Sequence, residues 1–216
     1  EINNMSGLLV KEYYTLRRFL KQYILLFIFF GVLSVYLDSA IYFQAMVTMS
    51  MCMLVFTGMS YDAVAGWDKF VMTMPVSRKD VVLSKYTSCV IYAVGAIVVS
   101  TIFSFIINRI HPMENNGLLL MVAVAATLLC LIFIIYSILL PMIFKLGVEK
   151  TRILMIAVIM IPVFLILGAA DYLPETVLNF IEQHAAIFGA AGVIMSVLIY
   201  FISYFISVSI FNKKEF

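Results

Sequence analysis

Polar positions are sparse along this chain, and they gather in clusters that separate long apolar runs. Residues 6–22 mix both kinds at helical spacing. Leu8, Leu9, Tyr13, Leu16 and Leu20 recur every three to four positions, with Lys11, Arg17, Arg18 and Lys21 along the polar side. A basic amphipathic helix of this kind lies in the headgroup plane, drawn by anionic lipid, or simply extends the first span. Apolar runs follow at about 23–37, 41–60, 81–107, 118–144, 153–170 and 187–211. A helix rises ~1.5 Å per residue, so roughly 20 apolar residues cross a ~30 Å hydrocarbon core. The pattern predicts an all-α fold: one polytopic membrane domain over 1–216, with six transmembrane helices. The polar segments between them are a short turn at Asp38-Ser39, a long stretch at 61–80 running on to Lys85, a turn at 108–117, a short basic loop at 145–152 and an outer segment at 171–186. In that outer segment Pro174 and Glu175 suit a first helical turn, and Val177, Leu178 and Ile181 share a face. It is an outer helix or an ordinary loop.

Composition removes the soluble alternative. The chain is 64% hydrophobic and 12% charged, against about 25% charged in soluble domains. The first apolar run lacks a small-residue cleavage site, so it reads as a retained helix and not a signal peptide. A net charge of +2 gives no reason to expect nucleic acid. Placement matters more than size: four Lys or Arg precede the first span, four lie in 61–85, three in 145–152 and two after the last span. Of the 14, only Arg109 lies elsewhere. Positive charge stays on the cytoplasmic side in short loops, so both termini are expected in the cytoplasm.

Several kinds of chemistry are missing. With Lys85 counted in the polar stretch, the spans hold almost no ionisable groups, which argues against a proton- or sodium-driven pump. The sequence contains neither GxxxxGK[ST] nor HExxH. His111 and His184 stand in separate outer loops without ligand spacing, so no metal is expected. Cys52, Cys89 and Cys130 lie inside apolar runs and read as unpaired thiols. Two polar stripes remain. Ser196, Tyr200, Ser203 and Ser207 share one face of the last span, and Gln44 and Thr48 share one on the second. These are cavity linings or helix–helix contacts. Pro141 and Pro162 are candidate kinks. Fourteen Met and 18 Phe residues suit an adaptable surface for greasy cargo, and equally suit lipid.

The richest local signal lies at 61–86. Asp62 is placed to cap a short helix, with Val64, Trp67, Phe70 and Val71 on one face and Asp68 and Lys69 turned away. Pro75 ends it, and Ser77 followed by Asp80 is a capping-box pattern that opens the third span. Without a partner this would be a membrane-surface loop anchored by a Trp.

The spacing Gly66-Trp67, Phe70, Pro75-Val76-Ser77-Arg78, Val82, Ser84-Lys85-Tyr86 resembles the first cytoplasmic loop of ABC-2-type transporter permeases. The opening Leu8-Leu9, Lys11-Glu12, Arg17-Arg18 resembles the start of the same family, an amphipathic elbow helix. Among its small bacterial members the chain is most similar to permeases of phenol-soluble-modulin exporters, which expel amphipathic peptides. The resemblance implies a permease of the bacterial cell membrane that is not itself an enzyme. ATP and Mg would sit on a separate ABC subunit, present in two copies, and a second permease copy or homologue would complete a dimer. It further implies that residues 62–73 form the coupling helix, with Asp62, Val64, Trp67, Asp68, Lys69, Phe70, Val71, Arg78 and Lys79 facing the ATPase. Lys145, Glu149, Lys150 and Arg152 would be a second cytoplasmic contact. Efflux of a peptide antibiotic or lipid-like compound, and a non-transporting scaffold or sensor subunit, are the alternative functions.

Overall fold

A computed structural model describes residues 2–111, 117–170 and 185–214. The described elements are all helices: α1 (Ile2–Arg17), α2 (Leu20–Tyr36), α3 (Ala40–Val64), α4 (Trp67–Val71), α5 (Arg78–Ile110), α6 (Leu118–Leu146), α7 (Val148–Ala170) and α8 (Ala185–Asn212). Among the described residues α3, α5, α6 and α8 are long and apolar enough to cross a membrane. The apolar part of α2, Lys21–Tyr36, is shorter. α7 occupies the fifth predicted run.

Lipid-like surface and a narrow core divide each long helix. α6 and α8 form the most extensive contact, followed by α3 with α5, while α2 packs on α3 and α7 on α6. α1 lies against α5 and α3. Val82, Cys89 and Ala93 of α5 meet Ile132, Leu139 and Leu140 of α6 and Phe211 of α8 in one apolar cluster. The opposite faces, such as Ile24, Leu25 and Ile28 on α2 or Phe201, Ile202 and Phe205 on α8, are exposed. That is the reverse of a water-facing surface and suits hydrocarbon as solvent.

Helix boundaries differ from the hydrophobic pattern where tertiary partners intervene. The break between α1 and α2 falls at Arg18 and Phe19, not at residue 22. α3 continues through Asp62 to Val64, and α4 is capped by Gly66, so Asp62 does not cap it. Ser77 behaves as expected: its hydroxyl accepts the Asp80 N–H at 3.2 Å and donates to the Asp80 carboxylate at 2.6 Å. The basic loop 145–152 shrinks to the single residue Gly147, which places Lys145 on the last turn of α6 and Glu149, Lys150 and Arg152 on the first turns of α7. Charged side chains remain compatible with helix where the bundle end is wet. Cys52 and Cys89 are buried thiols and Cys130 is half-buried, all unpaired. The predicted outer segment at 171–186 falls, up to His184, outside the described residues.

The antiparallel packing sorts charge by end. Arg78 reaches the end of α8, Lys214 reaches Asp68, and Arg152 reaches Ser60, so these segments share one end of the bundle. All the basic residues except Arg109 belong to it. At the other end the Asp38 carboxylate stands 3.7 Å from His111, and Ser104 donates to the Ala40 carbonyl.

Candidate functional site

The basic end holds a buried group of four charges. Glu12 of α1, Asp62 of α3, Lys85 of α5 and Lys11 of α1 meet where those three helices converge. Lys85 donates to Glu12 at 2.5 Å and also to Asp62, whose other oxygen takes Lys11. Lys11 lies 3.2 Å from Glu12. Two cations and two anions leave the group neutral, which is how charge survives burial. The Lys85 side chain is only 8% exposed. Burial, with Lys85 next, pushes the Lys11 ammonium below its ordinary range, against the pull of Glu12 and Asp62.

The sequence pattern assigns Asp62 and Lys85 to the polar stretch between two spans, whereas the structure buries both within helices. Lys85 belongs to α5, not to a loop, and Asp62 to α3. Neither needs to enter hydrocarbon. Lys85 and Arg109 are 24 positions apart on one helix, about 36 Å at 1.5 Å per residue, which exceeds a ~30 Å core. The missed signal was positional. Glu12 follows buried Leu8 by four, Asp62 follows buried Met59 by three, and Lys85 sits between buried Val82 and Cys89. Each charge therefore stands on the apolar stripe of its own helix and requires a partner there.

α4 is attached to this group. The Lys11 ammonium lies 4.4 Å from the centre of the Trp67 ring, a contact worth ~0.5–2 kcal/mol. Val71 is fully buried, and Trp67 packs partly against the same core. Two of the proposed outward anchors thus point into their own chain. Val64 and Phe70 do face outward, 87% and 53% exposed. Arg78 is also engaged internally: its guanidinium donates to the carbonyls of Phe211 at 3.3 Å, Asn212 at 2.7 Å and Lys214 at 3.2 Å. Those carbonyls end α8, where helix N–H partners run out. Asp68 takes Lys214 at 3.1 Å. Lys69 and Lys79 are exposed. Beside them a pocket of about 400 Å3 is lined by Asp62, Lys85, Lys69, Phe144 and Gly147. It borders both the 61–80 segment and the α6–α7 turn, so the two predicted contact regions are neighbours.

The polar stripes are helix contacts. The Tyr86 hydroxyl lies 2.8 Å from that of Ser203 and 2.7 Å from that of Ser207, and Tyr200 donates to the Tyr86 carbonyl at 2.8 Å. Ser203 donates to the Ser137 carbonyl at 2.7 Å, while Ser196 bonds back to Val193. On α3, Gln44 donates to Thr101 at 2.9 Å and to the Met121 carbonyl at 3.2 Å, and Thr48 pairs with Ser100 at 2.8 Å. All five candidate cavity residues are buried between helices.

An apolar bundle, one basic end and a short helix fastened there describe a membrane-spanning chain with a charged face at one end. The sequence pattern that defines the ABC-2 family transporter proteins matches residues 7–212. The chain belongs to the ABC-2 transporter family. No curated protein and no solved structure shows a significant match to it. Membership makes this chain a multi-pass, non-catalytic membrane permease subunit of an ABC transporter, which works with an ABC ATPase subunit.

Proposed function

We propose that this permease exports amphipathic or hydrophobic peptides as part of a dimer of permeases served by two ATPase subunits docked on the basic end. Six spans with both termini in the cytoplasm belong to the same reading, and ATP and Mg sit on the partner. The observation that carries it is the two-sidedness of α4. Val71 and Trp67 hold the helix to the core and to Lys11, while Phe70 and the nearby Val64 present apolar surface beside Lys69 and Lys79. Exposed aromatic and aliphatic anchors rimmed by cations suit a groove on a partner. A push on Phe70 reaches α3 and α5 through the charge group. Lys145, Glu149, Lys150 and Arg152 supply a second contact across the shared pocket. Peptide cargo rests on the resemblance of the chain to the small permeases of phenol-soluble-modulin exporters.

The test is ATP hydrolysis by the permease–ATPase complex in liposomes, with and without amphipathic peptides. Stimulation by peptide is expected, and Phe70→Asp should abolish it while thermal melting stays unchanged, since the side chain faces outward. A complex indifferent to every amphipathic peptide defeats the cargo assignment. Intact stimulation in Phe70→Asp defeats the docking assignment.

A further inference from the structure

We infer that the angle between α1 and the end of α3 is a binding site for the headgroup of an anionic phospholipid. A pocket of about 830 Å3 opens there, lined among others by Lys11, Tyr14, Arg17, Arg18, Tyr61 and Trp67. Its charge is unbalanced. Lys11 and the one acid in the lining, Asp62, are consumed in the neutral four-charge group with Glu12 and Lys85. Arg17 and Arg18 are exposed and have no carboxylate partner among the described residues. Two free guanidinium groups facing one pocket match the fork geometry of a phosphodiester. One wall is tied across the corner: the Phe19 and Tyr61 rings meet at 5.2 Å, tilted by 43°, and join the α1–α2 corner to α3.

The location selects lipid as the source of the phosphate. The pocket sits where the apolar run of α3 ends, and α2 leaves the same corner with Ile24, Leu25 and Ile28 exposed along its outer face. An acyl chain can therefore follow α2 while its phosphate meets the arginines. Tyr14, Tyr61 and Trp67 are the ring types that settle at headgroup depth. The site does not depend on the cargo or on ATP.

Native mass spectrometry of the full chain, released from detergent with added lipid, tests this. Phosphatidylglycerol should be retained in preference to phosphatidylcholine. Arg17→Gln/Arg18→Gln should weaken that retention about thirtyfold, on the basis of the attraction typical of two surface cations, with each single substitution giving part of the loss. Melting should not change, because neither side chain has an internal partner. Lys150→Gln removes a cation from the same end of the bundle and should leave retention intact. The assignment is overturned by any of four results: equal loss in Lys150→Gln, full retention in the double variant, equal binding of inorganic phosphate, or loss of ATPase capture in the double variant with lipid retention unchanged.

Discussion

Asp62 accepts from two ammonium groups on two different helices, and one of those ammonium groups also covers the indole of Trp67. Removing any member strands partners that are mostly buried, and breaking a fully buried pair costs about 3–5 kcal/mol. Lys85→Met should therefore lower the melting temperature sharply in detergent, leaving Glu12 and Asp62 facing each other with Lys11 as their one remaining cation. Glu12→Gln combined with Lys85→Met removes one charge of each sign and should recover part of that loss. The measurement is a double-mutant cycle from thermal melts. Strictly additive losses would mean that the four groups are not coupled. At this scale the sequence was half readable. The pairing chemistry of Ser77 with Asp80 is local and could be read from a spacing of three residues. The partners of Asp62 lie 51 and 23 residues away, so spacing alone left it as a cap for the helix that follows. The buried stripes of α1, α3 and α5 carried the missing hint, because an acid or a base on an apolar face has to be answered from another element.

Short elements depend on their surroundings more than on their own propensity. Five residues cannot hold a helix unaided, so α4 exists because Gly66 adopts a left-handed φ of 66° and Val71 and Trp67 find the core. The α6–α7 junction is tighter still. Gly147 has φ 83° and ψ 168°, a region that side-chain-bearing residues avoid at a cost of ~1–3 kcal/mol. A Cβ there would meet no atom within 4 Å, so the penalty in Gly147→Ala is purely one of backbone. Gly95 is the contrasting case, in mid-helix on α5 with equally open space around it. Gly95→Ala should raise stability by about 0.5–1 kcal/mol, while Gly147→Ala lowers it. Shifts of the same sign in the two melts would contradict this account. The apolar runs predicted α3, α5, α6 and α8 to within a few residues because hydrocarbon thickness sets their length. The ends were less readable: 61–64 and 148–152 are polar yet helical, since their side chains project to the wet end of the bundle or pair within it.

For the whole molecule, packing decides which polar residues serve structure and which remain available. Hydroxyls on α8, which the sequence offers as cavity lining or helix contact, join it to α5 and α6 through Tyr86 and Ser137. Arg78 completes the end of α8. What is left over at one end is cationic, and that asymmetry is the ground for the proposed cytoplasmic placement of the basic end. If the basic end faces the cytoplasm, impermeant maleimide should label a cysteine at Lys150 or Lys213 in inside-out vesicles and not in intact cells, while one at Arg109 should show the reverse. Cys52 and Cys89 are buried and Cys130 is half-buried, so replacing all three with serine gives a clean background. Labelling of position 150 from outside would invert the bundle and separate α4 from any cytoplasmic ATPase. The charge count makes that inversion costly. It would carry every Lys and Arg but one to the outer face, where each basic residue opposes the electrostatic preference that sets topology in short loops. The buried charge group does not oppose the assignment, since it is neutral and lies at the edge of the apolar run. The exposed cations Arg17, Arg18, Lys69 and Lys79 belong to that count, and the same four stand nearest the surfaces proposed for lipid and for the ATPase.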